Sequence, residues 1–156
     1  MPSQLISPAF LNRIALETMS EPASADANLI LQKITDFAEP AELLELFDEF
    51  CRCAMEEHYT WKEGGPGNLL FICELFEMMV EACYLLNRKR KKAGMRESKT
   101  DLAVKEFFRT YSLPEWKKEF HAWVEAAFAE FSIVENVETN TITRFQVRTR
   151  NLIKSL

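Results

Sequence analysis

From Leu69 to Leu86 the chain carries apolar side chains around nearly the whole circumference of a helix. Only Glu74, Glu77, Glu81 and Arg88 form a polar stripe, at steps of three, four and seven. A helix with so little polar surface must be surrounded by other helices. Gly64, Gly65, Pro66 and Gly67 precede it, Asn68 is the expected N-cap, and it runs to about Lys92 before Gly94 stops it. This predicts the central helix of an all-α protein.

The neighbours needed to cover it can be read from punctuation and periodicity. Residues 8 to 19 predict an amphipathic helix with Pro8 in its first turn and Phe10, Ile14 and Leu11 apolar; it ends before Ser20, Glu21 and Pro22. A short helix follows from about Ala25 to Phe37, with Leu29, Ile30, Ile34 and Phe37 spaced for one face. Pro40 starts the next, about 40 to 60, which points Leu43, Leu46, Phe47, Phe50, Cys51 and Ala54 inward. Its outward positions are Glu42, Glu45, Asp48, Glu49, Arg52 and Glu56. Beyond Gly94, a helix beginning near Ser98 or Thr100 buries Val104, Phe107, Phe108 and Tyr111. Ser112, Leu113, Pro114 and Glu115 spell a capping box for another, with Trp116, Phe120, Trp123, Val124, Ala127, Phe128 and Phe131 as its inward stripe.

These elements, joined by mostly short connections, predict an antiparallel bundle of five or six helices. The 156 residues suit one domain, with 1–7 and 155–156 expected to fray. A hydrophobic content of 47% with only four glycines supports an ordered core. The segment from Thr139 to Thr149 admits two readings. Period two puts Thr141, Thr143, Phe145, Val147 and Thr149 on one face of a strand, opposite Arg144, Gln146, Arg148 and Arg150. A helix instead gathers Ile142, Phe145, Leu152 and Leu156. An isolated strand leaves its backbone groups to water or to another chain, so helix is the favoured reading and strand pairing across a dimer the alternative.

Charge is segregated. The net charge of −5 divides into −1 for residues 1 to 35, −10 for 36 to 81 and +6 for 82 to 156. Such a field steers partners without identifying them, and an acidic total does not exclude an anionic one. Glutamates interrupt the longest apolar run, so no membrane span is expected. Residues 1 to 10 lack the basic start and apolar stretch of a secretory signal, and the chain is read as cytoplasmic. Cys51, Cys53, Cys73 and Cys83, all in apolar helical surroundings, fit a reduced environment.

Several constellations bear on chemistry. Cys51, Cys53 and His58 combine metal-ligand types, but residues two apart on a helix point to nearly opposite sides. Cys73 and Cys83 are separated by roughly 15 Å of helix rise. Buried structural thiols are therefore expected, with no metal and no cofactor. Glu74, Glu77 and Glu81 share a face, yet neither histidine follows a glutamate in the Glu-x-x-His pattern of two-metal bundles, because Met55 and Lys118 stand three before His58 and His121. A solvated stripe is the expectation. The segment from His58 to Gly67 opens a helix N-terminus but lacks a preceding strand and a Gly-Lys-Ser/Thr ending, so it reads as a turn and not a phosphate loop.

Arg52 and His58 stand in the order Arg-x5-His. That spacing resembles the ribonuclease motif of helical domains of the higher-eukaryote and prokaryote nucleotide-binding (HEPN) type. The resemblance covers these seven residues and implies a histidine that assists attack by a ribose hydroxyl and an arginine that stabilises phosphate charge. In that family the motif lies late in the bundle, whereas here it falls in the third predicted helix.

The basic segments are the strongest remaining signal. Arg88, Lys89, Arg90, Lys91 and Lys92, with Arg96 and Lys99, form one; Arg144, Arg148, Arg150 and Lys154 form the other. A helix C-terminus favours cations, though five in succession exceed what the macrodipole needs. Phosphate contacts are the functional reading. The helices meeting at Thr110 to Leu113 also suggest a helix-turn-helix with Lys117, Lys118 and His121 exposed, against which stand a glycine-free turn and Trp116 at the start of the second helix. The expectation overall is a non-enzymatic interaction or regulatory protein with a protein partner or as a homodimer. An accessory nucleic-acid-binding role through 88–99 and 144–154 ranks second, and a HEPN-like RNase third.

Overall fold

The computed structural model describes residues 26–56, 66–93, 98–128 and 132–156. Its helices are α1 (Ala27–Phe37), α2 (Pro40–Met55), α3 (Pro66–Ala93), α4 (Lys99–Thr110), α5 (Leu113–Phe128) and α6 (Thr139–Ser155). A single turn of 3-10 helix, Ile133–Glu135, lies between α5 and α6. The described residues contain no strand, and the architecture is an all-α bundle. The predicted helix over 8–19 lies outside the described residues.

Local chemistry accounts for the boundaries. Asp26 accepts from the N–H groups of Asn28 at 3.0 Å and Leu29 at 3.3 Å, satisfying two donors at the start of α1. Pro40 forces the preceding residue into extended backbone, and Glu39 duly has φ −63° and ψ 157°, so one residue separates the end of the α1 cap from α2. The Glu42 carboxylate accepts from the Glu39 N–H at 2.9 Å. Ser98 and Asp101 form a reciprocal box at α4: Ser98 N–H donates to Asp101 Oδ2 at 2.7 Å and Asp101 N–H to Ser98 Oγ at 3.2 Å. Ser112 and Glu115 repeat it at α5, with 2.7 Å and 3.4 Å. α2 stops at Met55, short of the expected 60, and α3 starts at Pro66, ahead of the expected cap Asn68.

α1 runs antiparallel to α3, because Phe37 meets Phe71 while Asn28 and Leu31 lie beside Leu86. α2 packs on α5, α6 and α3, and α4 lies along α6. Thr100 Oγ1 donates to the Ser155 carbonyl and Arg148 pairs with Glu106, which orients α4 and α6 antiparallel. Ser132 Oγ donates to the Met55 carbonyl at the far end of α2, so the entrance to the 3-10 turn is held to the bundle.

Burial corrects several helix faces. The run Leu29, Ile30, Leu31 offers apolar residues to two adjoining faces; α1 buries Ala27, Ile30, Leu31 and Ile34 and leaves Leu29 and Phe37 exposed. Phe108, Tyr111, Val124 and Ala127 are only partly buried, and Phe128 is exposed. Cys53 joins Cys51 inside, since α2 is covered on more than one side.

The ambiguous segment is helical throughout. Ile142, Phe145, Thr149, Leu152 and Ile153 are buried, at helical spacing, whereas Thr143 and Val147 of the strand reading face solvent. Phe145 explains the choice. Its ring is 4.4 Å from that of Trp123, nearly parallel at 15°, and 4.8 Å from Phe120, with Phe47 at 5.9 Å and Trp116 at 6.3 Å. Trp116 in turn stacks on Phe107 at 3.9 Å and donates its indole N–H to the Phe107 carbonyl at 2.9 Å. One side chain of α6 thus touches aromatic rings from α2 and α5, and through Trp116 reaches α4. Phe145→Ala is expected to lower stability by about 3–5 kcal/mol, the range for truncating a buried Phe. Val147→Ala, on the exposed side of the same helix, should change it by no more than about 0.5 kcal/mol. Urea unfolding followed by Trp fluorescence and circular dichroism measures both.

Candidate functional site

Three features of the described residues combine charge, burial and exposure in ways that bear on function. The first lies where α5 crosses α3. Glu81 is fully buried, and its carboxylate is 3.4 Å from Lys117 Nζ. Glu77 is 4.0 Å from the same ammonium, and both Lys117 and Glu77 are largely covered. The expected solvated stripe Glu74, Glu77, Glu81 therefore dips into the protein: Glu74 and Glu77 are half-buried and Glu81 is inside. Lys117, expected to be exposed on a recognition helix, is turned inward. Trp116 is fully buried, and Lys118 and His121 alone of the proposed set are exposed, His121 lying 3.1 Å from Glu125. The outer face of α5 thus keeps Lys118 and His121 but not Lys117, which is turned toward α3.

The second feature is the fate of the basic residues. Arg88 is half-buried and hydrogen-bonds Tyr84, whose hydroxyl is pushed up in pKa by burial while Arg88 pulls it down. Lys89 is exposed, and the side chains of Arg90, Lys91 and Lys92 lie outside the described residues. Arg144 donates to the Tyr111 hydroxyl at 3.1 Å, with its guanidinium 5.7 Å from the ring centre. Arg148 pairs with Glu106 of α4 at 2.8 Å. Arg150, two residues on and so facing the other way, pairs with Asp48 of α2. These arginines clasp α6 to its neighbours on both sides instead of forming one open patch. Each ion pair is partly exposed, worth about 0–1 kcal/mol.

The two segments do converge at one place. Lys99, Ala103, Glu106 and Phe107 of α4 face Arg148, Asn151, Lys154 and Ser155 of α6 across a cleft of about 320 Å³.

The third feature is an apolar edge. Phe37, 57% exposed, and Phe71, 47% exposed, meet edge to face at 5.3 Å, and Leu70, next to Phe71 in sequence, is 46% exposed. The sequence contained a hint in the step from Leu69 to Phe71: three successive large apolar residues cannot all face one neighbour.

The thiols show no sign of reactivity. Burial pushes Cys51, Cys73 and Cys83 up to about 12 and Cys53 to about 11. Cys51 lies beside Gln146 of α6, which donates to Met55 Sδ at 3.4 Å, whereas Cys53 lies near Cys73 of α3, as expected for residues on opposite sides of α2. Among the described residues no group of three or more His, Cys, Asp or Glu side chains converges as a metal site. His58 lies outside the described residues; Arg52 is exposed, 3.8 Å from Glu49. No described helix is long and apolar enough to cross a membrane. Compared with known protein families, curated proteins and solved structures, the chain finds no match in any of the three.

Lys117→Met should destabilise by about 3–5 kcal/mol, since it strands a buried carboxylate; adding Glu81→Leu should recover part of the loss, and urea unfolding of the four forms gives the coupling. The thiols add an alkaline signature. Their folded pKa values lie above the ordinary 9.0, so the folded protein holds protons that the unfolded chain releases. The stability they contribute is complete below pH 9 and falls as the pH rises from about 9 toward 12. At pH 8 the native protein should react with a thiol reagent such as dithionitrobenzoate only at the rate at which it opens.

Proposed function

We propose that the protein is a non-enzymatic binding module that receives a basic amphipathic helix of a partner protein on the edge made by Phe37, Leu70 and Phe71. The observation that carries this reading is the exposed aromatic pair. A bundle that buries Phe47, Phe50, Phe76, Phe107, Phe120 and Phe145 almost completely leaves two phenylalanines in contact with each other and half open to water. Clustered aromatic and aliphatic exposure of this kind typifies protein contact surfaces, whereas scattered single residues need no explanation.

Charge selects the partner. Asp36 and Glu39, both exposed, flank Phe37, against one exposed cation a turn earlier on α1, Lys33. An apolar stripe bordered by Lys and Arg complements that rim and associates faster at low salt. A second copy of the same face would bring acid against acid, which disfavours a homodimer through this edge. The runner-up, nucleic-acid contact through both basic segments, is weakened because Arg144, Arg148 and Arg150 already have internal partners. No described arrangement favours the RNase reading.

A synthetic helical peptide with Leu on one face and Lys on the other should bind in fluorescence anisotropy, more weakly as salt rises. Phe37→Ser with Phe71→Ser should weaken it at least about tenfold, as loss of a central anchor does. The same pair of changes should cost the fold about 0.5–1.5 kcal/mol for the ring contact in addition to the area each half-buried ring covers, and circular dichroism checks that the variant is folded. Equal binding by the variant, or equal binding of a peptide with Glu in place of Lys, sinks the proposal.

A further inference from the structure

The cleft between α4 and α6 belongs to neither the aromatic edge nor the aromatic core, and its charge is out of keeping with the chain. Its described lining holds three cations, Lys99, Arg148 and Lys154, against one carboxylate, Glu106, in a protein of net charge −5. That carboxylate is committed: Glu106 lies 2.8 Å from Arg148 and 3.6 Å from Arg109. It also stands seven residues along α4 from Lys99, roughly 10 Å of helix rise away. Lys99 and Lys154 both line the cleft at the end where Thr100 bonds Ser155, and the described lining has no carboxylate at that end.

Helix electrostatics accounts for one of the two. Lys154 sits in the last turn of α6, where the macrodipole favours a cation. Lys99 is the first residue of α4, where the dipole disfavours one. Of the two carboxylates nearest to Lys99 in sequence, Glu97 lies outside the described residues, and Asp101 accepts from the Ser98 N–H at 2.7 Å in the capping box. Two like charges brought together by antiparallel helices repel unless an anion joins them.

The rest of the lining suits an anion with an uncharged body. Ala103 and Phe107 give an apolar floor, and Asn151, exposed midway along α6, offers an amide donor and acceptor. Size decides between ligand classes. At about 320 Å³ the cleft falls at the lower end of small-molecule sites, which run from about 300 to 1,000 Å³. It accommodates something close to one nucleotide or sugar phosphate.

We infer that this cleft binds a small phosphorylated ligand, its phosphate between Lys99 and Lys154 and its body over Ala103 and Phe107 beside Asn151. Adenosine monophosphate, inorganic pyrophosphate and adenosine are suitable probes, titrated into the full chain by calorimetry and by amide chemical-shift mapping. The monophosphate and pyrophosphate should bind and shift residues of α4 and α6, and adenosine should not. Lys99→Gln with Lys154→Gln should weaken both at least about tenfold while the circular dichroism spectrum stays unchanged. Ala103→Leu fills the floor and should weaken the monophosphate while sparing pyrophosphate. No binding of either phosphate at millimolar concentration overturns the inference, as does equal binding by the double variant. A labelled single-stranded RNA that binds over a hundredfold more tightly than the monophosphate, and is weakened as much by Lys89→Gln as by Lys99→Gln, also overturns it in favour of a nucleic-acid surface. These readouts do not involve Phe37 or Phe71, so this inference and the peptide-binding function stand or fall separately.

Discussion

The stack of Phe145 on Trp123 is the contact on which the other packing converges. Phe145 projects from α6 into rings contributed by α2 and α5, and its neighbour Trp116 extends the cluster to Phe107 of α4. Phe47 and Phe50 carry it on to Phe76 of α3. Aromatic rings bury large areas with few rotatable bonds, so a cluster of this size supplies cohesion at low entropic cost. It also demands a definite geometry, because offset and edge-to-face arrangements are preferred over arbitrary ones. The arginines on the rim of α6 then act on a helix whose position is already set. Their pairs with Glu106 and Asp48 choose among rotations of α6 more than they hold it down.

A different logic governs the contact of α3 with α5. There the interior contains a carboxylate and an ammonium in place of rings. A buried pair seldom adds stability over a hydrophobic pair of the same size, and its removal on one side is costly. The consequence is directional: α5 can approach the stripe of α3 only in the register that brings Lys117 to Glu81. The ion pair adds a directional requirement of its own to the geometry the rings prefer. The two devices together yield a bundle with one arrangement of helices.

Much of this architecture was legible from local chemistry. Pro40, the box Ser112 to Glu115 and the apolar run from Leu69 each identify an element through interactions within a few residues, and these elements are where they were expected. What escaped depends on partners distant in the chain. Thr139 to Thr149 is rich in β-branched residues; helix is favoured there only because a strand has no partner, and the aromatic pocket that receives Phe145 is the positive reason the sequence does not show. Glu81 continues a polar stripe at regular spacing, so nothing local announces that Lys117 covers it. The arginines of α6 read as a basic patch because their acceptors, Glu106, Asp48 and Tyr111, belong to other helices. Of the candidate surfaces, Lys99 and Lys154 were visible as members of basic segments, but the antiparallel pairing that sets them side by side was not. Leu29 and Phe37 show the reverse error: an apolar periodicity that fits two faces of α1 does not say which one the bundle uses.

The placement of Phe145 also has a bearing on how the chain is made. Synthesis proceeds from the N-terminus at about 5–20 residues per second, and α6 is translated after every helix whose rings it closes. Until α6 has emerged, Phe47, Phe120 and Trp123 lack the ring that packs on them in the finished protein. The nascent bundle is then an open aromatic trough, the kind of surface that chaperones hold and that neighbouring nascent chains can invade. Closure of the core therefore waits on α6, the last of these helices to be made.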